Sequence, residues 1–550
     1  MRTRIRVAEL VSSMLITSIL AVAPRAGLAQ EQSVKDGYQA LVELFREWRV
    51  FERPPLRDGA PDYTAATFDR RHRELAAFRA RLRGIDPAKW PVAQQVDYRL
   101  VLAEMNGLDF YIRVLKPWTR DPAFYKSVYM EQSDTPAHEG PTHHAAIELW
   151  TYSFPIDLPS EGRLAAELRG IPPLLAQARS NLTGDAHDLW TTGTGTMRQQ
   201  TKDLEDLDRR VPKAGAELKR AIRAGIAATS EFADWLDSQA PSRNGPSGIG
   251  KENYTWALRN VHLVPMTWEE EVTLLERELA RAHASLRLEE HRNRALPQLP
   301  VVANADEYHR RAEDGVTRYM AFLKSQDILP MREYMDPALR AHLGKFQPEA
   351  TREFFDMATH REPMTLYTHF YHWFDLARMR EEPHPSPIRR DALLYNIWDS
   401  RAEGMATDME EMMLHAGLYD DNPRAREIVW ILLAQRAARG LASLRAQANE
   451  FTLKQAKDFQ VKWTPRGWMR PDLDLVGFEQ QLYLRQPGYG TSYVTGKYLL
   501  ERLLMDRATQ LGDAFTLSRW FDEVNGAGVI PVELIRWELT GIGDELPAVD

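Results

Sequence analysis

The residues best equipped for chemistry in this chain lie in Leu366-Tyr367-Thr368-His369-Phe370-Tyr371-His372-Trp373-Phe374-Asp375 and, further on, in Ser400-Arg401-Ala402-Glu403-Gly404-Met405-Ala406. On a helix, residues three apart sit roughly 60° from one another around the axis, so His369 and His372 share a face and can both turn a ring nitrogen toward one ion. Glu403, on a following helix, offers a third ligand. Two histidines from one helix and a glutamate from another form the ligand set of zinc hydrolases, which leave the fourth position to water. In the His-Glu-x-x-His form of that set the general base directly follows the first histidine, and here Phe370 stands in its place. Asp375, one turn after His372, and Asp399, one turn before Glu403, are placed to orient a ligand or serve as one. Two histidines in an aromatic helix also suit a packed core, hydrogen-bonded to backbone, and the residues alone leave both readings open.

Two other stretches carry reactive side chains. The first, Pro136-Ala137-His138-Glu139-Gly140-Pro141-Thr142-His143-His144-Ala145-Ala146-Ile147-Glu148, is rich in ligand-type groups, but Gly140 and Pro141 prevent one continuous helix through it. A helix starting near Thr142 would put His144 and Glu148 on one face. The segment reads as a surface loop and helix start, with His144 as a substrate-binding candidate where it borders a cleft. The second, Leu482-Tyr483-Leu484-Arg485-Gln486-Pro487-Gly488-Tyr489-Gly490-Thr491-Ser492-Tyr493-Val494-Thr495-Gly496-Lys497, is a glycine-rich turn leading into a helix. It lacks the spacing of a phosphate-binding loop, and Ser492 lacks the flanking glycines of a nucleophile elbow. Near a helix N-terminus, Tyr493 and Arg485 suit oxyanion stabilisation, and Tyr489 and Lys497 suit holding a substrate carboxylate. A tight helix-packing turn would use the same glycines.

The elements that must position these groups are helices. Tyr38, Leu41, Phe45 and Trp48 recur at the spacing of one helix face. Val272, Leu275, Leu279, Ala282 and Leu286 do the same, behind a capping box of Thr267 and Glu270. Similar stripes run around residues 70–84, 94–115, 160–181, 197–237, 306–325, 391–416 and 424–448, and no run of alternating strands is long enough to build a sheet. Residues 240–250, rich in Pro and Gly, make the strongest break and predict a linker between two helical halves. Residues 381–389 predict a rigid proline-rich connection, and residues 463–490 a long binding loop.

Composition narrows the chemistry further. Among 550 residues there is no cysteine, which excludes disulfides, thiol nucleophiles and thiolate metal sites and leaves any metal to His, Asp, Glu and water. A net charge of -8 gives no electrostatic footprint for nucleic acid. Arg2, Arg4 and Arg6, an apolar run from Leu10 to Ala23, and the small residues Gly27 and Ala29 predict a secretory signal peptide over residues 1–29, cleaved after Ala29. The run is shorter than a bilayer span, so no stable membrane anchor is expected after cleavage.

The order of a His-containing helix, a Glu-Gly-Trp-Ala-like segment (Glu403-Gly404-Met405-Ala406) and a Pro-Gly-Gln-x-x-Ser-Tyr-like turn (Pro487-Gly488-Tyr489-Gly490-Thr491-Ser492-Tyr493) resembles the bacterial domain of unknown function 885 family over residues 70–540. The resemblance implies a mainly helical, exported, zinc-metallopeptidase-like protein. It implies that His369 matches the first histidine of the family's His-Glu-x-x-Pro-Gly-His stretch, that Glu403 is a metal ligand and that Tyr493 stabilises the transition state. The chain departs from the pattern at Phe370, in lacking the Pro-Gly, and in aligning His372 with the second histidine only through a shortened motif. With the motif degenerate, Asp375 or another carboxylate would have to act as base.

The expectation is therefore a mainly α protein, one large metallopeptidase-like helical domain over residues 30–550 whose two halves surround a cleft, periplasmic or secreted. It would hydrolyse peptides or related amides through zinc held by His369, His372 and Glu403, with a peptide or small molecule as substrate. The rival, motivated by Phe370, is a catalytically inactive relative kept as a periplasmic binding module. A carbohydrate-binding helical barrel is a third, prompted by 15 Trp and 19 Tyr, although aromatics at helical spacing more often build core.

Overall fold

Helices form along the apolar stripes, except over residues 391–398, where the chain turns irregularly before the Asp399–His415 helix, and the only described strands are two pairs of two residues each. The computed structural model describes residues 23–547, with side chains from residue 35 onward. The expected signal peptide lies outside the described residues up to residue 22, and residues 23–29 open the first helix, Ala23–Glu52. No described helix is long and apolar enough to cross a membrane. The capping box expected before the Trp268–Arg292 helix forms: Glu270 N–H donates to Thr267 Oγ1 at 3.2 Å, and Thr267 N–H donates to Glu270 Oε2 at 2.7 Å.

One contiguous core runs from Leu41 to Ile535, so the chain is a single large helical domain. At its centre the Asp399–His415 helix lies along Tyr489–Leu511, and Pro423–Gln447 lies along Trp268–Arg292 and against Tyr489–Leu511. Glycines allow these helices to come close. A Cβ on Gly404 would meet the carbonyl carbon of Gly496 at 2.5 Å, and one on Gly440 would come within 2.9 Å of Gly490 O. The segment at 240–250 does break the helices, but it is not a free linker. Gly250 N–H donates to Gln447 O at 2.8 Å and Gly248 N–H to Asn449 Oδ1 at 2.8 Å, which laces it to the C-terminal half.

Three local expectations are revised. Residues 463–490 contain an eleven-residue helix, Leu475–Arg485, whose buried face includes Glu479 and Gln480 as well as Val476, Leu482 and Tyr483. Those buried polar residues interrupt the apolar stripe by which a helix is recognisable in sequence. His369 and His372 do not share one helix: a short helix, Met364–Tyr367, ends before His369, and Tyr371–Glu381 begins after Phe370. Finally, no helix starts at Thr142. Residues 130–146 instead form a loop whose ends are tied by the parallel pairs Val128 with Ile147 and Tyr129 with Glu148.

Candidate metal centre

Despite the break between their helices, His369 and His372 converge. Their ring centroids are 5.1 Å apart, and each turns Nε2 toward the same oxygen, Glu403 Oε2, at 3.9 Å from His369 and 3.1 Å from His372. Ligand atoms of the three residues all lie within 4.8 Å of one another, and all three residues are buried. Zinc bonded to nitrogen and oxygen at about 2.1 Å in a tetrahedron separates its ligand atoms by roughly 3.4 Å. The donor set and its spacing fit that ion.

Glu403 is supplied by the Asp399–His415 helix, and the next residue, Gly404, is where that helix meets Tyr489–Leu511. The close crossing brings Tyr489 to Glu403, with hydroxyl and Oε1 2.5 Å apart. Seven residues after Glu403, on the same helix face, Glu410 reaches the other nitrogen of His369, with Oε1 3.1 Å from Nδ1. Arg436, from Pro423–Gln447, approaches that nitrogen at 3.1 Å and Glu410 Oε1 at 2.5 Å. Nδ1 either donates to Glu410 or accepts from Arg436, and donation to Glu410 leaves the Nε2 lone pair facing Glu403, the tautomer a metal ligand needs. Tyr493 stacks on His369 with ring centroids 6.2 Å apart and planes 12° apart, and the Arg439 guanidinium lies 3.8 Å over the Tyr493 ring.

Burial and charge set the protonation states. Burial pulls His369 well below its ordinary value, helped by the Arg436 charge, so it is neutral. Burial also acts against His372, but Glu403 and Asp134 outweigh it and push His372 up to about 9. Burial works against an ionised Glu403, yet the charge and hydrogen bond of His372 and the Tyr489 hydroxyl hold it below the usual carboxylate value. Tyr489 and Tyr493 are raised well above 10 by burial and stay neutral donors.

The loop at 130–146 adds two carboxylates. Glu139 Oε1 lies 2.9 Å from the Tyr489 hydroxyl, and Asp134 interacts electrostatically with both His372 and Glu403. Burial, followed by the neighbouring Asp134 charge, raises Glu139 to about 7. The loop is tied down at Gly140, where φ is +102°, a conformation that favours glycine. Gly140 N–H donates to Gln486 Oε1 at 2.7 Å, Asn396 Nδ2 donates to Gly140 O at 3.0 Å, and Gln486 Nε2 donates to Asp399 Oδ2 at 3.0 Å.

The other residues expected at the site are held elsewhere. Both oxygens of Asp375 face the buried Arg401 guanidinium, at 3.0 and 3.3 Å, so this carboxylate serves an ion pair rather than standing free as a base. Lys497 is surrounded by Glu411 at 3.1 Å, Asp408 at 3.8 Å and Glu501. Arg485 donates to Asp121 Oδ2 at 2.7 Å and packs under Gly140, where it supports the loop. His144 pairs with Glu52 at 2.9 Å, and Glu148 pairs instead with His138 at 2.8 Å. Phe370 packs beside Tyr367, ring centroids 5.8 Å apart. Glu410, Arg436 and Arg439 carry no motif of their own in the sequence, although the seven-residue spacing from Glu403 to Glu410 is a signal of a shared helix face.

The sequence pattern described as "Bacterial protein of unknown function (DUF885)" matches residues 51–365, ending just before His369. Among solved structures, a candidate lipoprotein of unknown function from Shewanella oneidensis is similar with a TM-score of 0.65 at 15% identity, over 92% of this chain and 98% of that one. A candidate lipoprotein from Colwellia psychrerythraea has a TM-score of 0.61 at 14% identity, over 93% of this chain and 98% of that one. At such identities the likeness is one of fold. No curated protein matches the chain.

Proposed function

The chain belongs to the DUF885 family of bacterial proteins of unknown function, and on that premise we propose that it is an exported, zinc-dependent hydrolase of peptides or related amides. The observation that carries the proposal is the convergence of His369, His372 and Glu403, whose ligand atoms lie within 4.8 Å of one another. Zinc held by these three would polarise the scissile carbonyl and bring the acidity of a water toward neutral pH.

The protein's own side chains do the positioning. Glu410 holds the imidazole of His369 at Nδ1, 3.1 Å away, Arg436 donates to Glu410 in turn, and Tyr493 stacks on the imidazole face. Tyr489 keeps Glu403 turned toward the histidines through its 2.5 Å hydrogen bond. The neutral hydroxyl of Tyr493 is the donor for the oxyanion that forms when the carbonyl carbon becomes tetrahedral. Export is supported by the signal-like residues 1–29 and by the two structural relatives described as candidate lipoproteins. None of the 550 residues is a cysteine that could carry a thioether-linked lipid.

Elemental analysis of the purified protein, paired with cleavage of internally quenched peptides, tests the reading. About one zinc per chain is expected, lost together with cleavage in His369→Ala and Glu403→Ala. Less than about a tenth of an equivalent after reconstitution, with no cleavage, overturns it. Phe370 favours a second reading, a binding module that has given up catalysis. In that case Glu403→Ala leaves peptide binding intact.

A further inference from the structure

The residue after His369 is Phe370, an apolar side chain that cannot take a proton, so hydrolysis at this centre needs a base from elsewhere. The nearby carboxylates are mostly committed. Glu410 is held by Arg436, Asp375 by Arg401, and Asp399 accepts from Gln486 while 1% exposed. Glu139 differs: it is half-buried, comes from a loop rather than the helical core, and is joined to Glu403 through a single hydroxyl.

That hydroxyl has a bookkeeping consequence. Tyr489 has one proton but touches two carboxyl groups, Glu403 Oε1 at 2.5 Å and Glu139 Oε1 at 2.9 Å. It can donate to only one of them at a time. When it donates to Glu403, the contact with Glu139 is a hydrogen bond only if Glu139 carries a proton and donates it to the Tyr489 oxygen. When Glu139 has no proton, its carboxylate is released to accept one from another donor. The geometry is that of a group that can load and unload a proton beside Glu403.

We propose that Glu139, delivered by the 130–146 loop, is the proton-transfer group of this centre, doing from the loop what Phe370 cannot do from the helix. The assignment rests on the hydrolase reading above. In the reaction Glu139 takes a proton from water as the water oxygen bonds to the carbonyl carbon. It then gives that proton to the amide nitrogen as the C–N bond breaks, so that amide and water become carboxylic acid and amine and Glu139 ends as it began. Gly140, next in the chain, is the anchor: its N–H and C=O are bound by Gln486 and Asn396, which aim Glu139 from behind.

The test compares wild type with Glu139→Gln and Glu139→Ala, reading zinc content and turnover of internally quenched peptides on the same samples. Glu139→Gln is expected to hold zinc like wild type and to lose turnover by roughly 10²- to 10⁴-fold, the scale of a lost general base. Formate added to Glu139→Ala should restore part of the rate, which a merely structural role would not allow. Unchanged turnover in Glu139→Gln with zinc retained overturns the assignment and leaves the hydrolase reading standing. Loss of zinc in Glu139→Gln overturns it in favour of a ligand role. A loss of turnover in Asp134→Asn with Glu139→Gln unaffected overturns it in favour of the other loop carboxylate. Wild type that neither takes up zinc nor cleaves any peptide overturns both proposals.

Discussion

Gly404 and Gly496 face each other where two buried helices cross, so closely that a Cβ on Gly404 would stand 2.5 Å from the Gly496 carbonyl carbon. A Cβ on Gly496 would collide with Ser400 O, a backbone atom that cannot swing aside. Because Glu403 precedes one glycine and Tyr493 lies three residues before the other, this contact sets how near the candidate ligand stands to the tyrosines.

Gly404→Ala therefore forces the helices apart. Overpacking against backbone is expected to cost about 2 kcal/mol or more, read as a lower midpoint in urea unfolding with an unchanged slope. The same separation should weaken zinc binding. A variant as stable as wild type would mean that the crossing relaxes freely.

Glu410 orients His369 without belonging to the ligand trio. Glu410→Gln is expected to weaken zinc roughly 10- to 100-fold, the usual scale for losing a carboxylate that orients a metal-bound histidine. Competition against a chelator of known affinity measures it; an unaltered affinity would reduce Glu410 to a partner of Arg436 alone.

Asp375 is expected to matter for folding rather than turnover. Asp375→Ala leaves the fully buried Arg401 charge without its main partner, at a cost of about 3–5 kcal/mol. The folded fraction should keep its zinc. The milder Asp375→Asn should be active as well, and a folded, zinc-loaded but inactive Asp375→Asn would return this residue to the reaction.

Glu271 gives the stability a pH dependence. It is fully buried, accepts from Tyr254 and Thr495 at 2.8 Å each, and burial raises it from 4.5 to about 7. The fold thus prefers the protonated carboxyl. The stability this contributes is present below pH 4.5, where the unfolded group is also protonated, and is lost as pH rises through about 7. Glu271→Gln should lessen the fall in unfolding free energy between pH 4.5 and 8 by roughly 3 kcal/mol. An identical fall in both proteins would mean that Glu271 titrates at its ordinary value.

Much of the helical pattern was legible because a repeat near 3.6 residues reports burial of one face, and that rule needs no knowledge of partners. It failed at Leu475–Arg485, where Glu479 and Gln480 are buried with the apolar residues. Their burial is tolerated because Gln435, Arg439 and Gln460 hydrogen-bond to Glu479, and those partners come from other helices.

At the candidate site the division is the same. By itself the sequence determined the helical class and the absence of thiolate chemistry, and by residue type it singled out His369, His372 and Glu403 as candidates; that they converge across a helix break and from a second helix was decided by the tertiary structure. Tertiary structure decided everything that depended on a distant neighbour. Arg485, Lys497, Asp375 and His144 have the right chemistry, but each meets an opposite charge in Asp121, Glu411, Arg401 or Glu52. Glu139 lies hundreds of residues from Tyr489 in the chain and 2.9 Å from it in space. A hydrogen bond or ion pair acts over a few ångströms whatever the separation in sequence, so only the packing of the helices and the anchoring of the 130–146 loop could select which carboxylate faces the ligands.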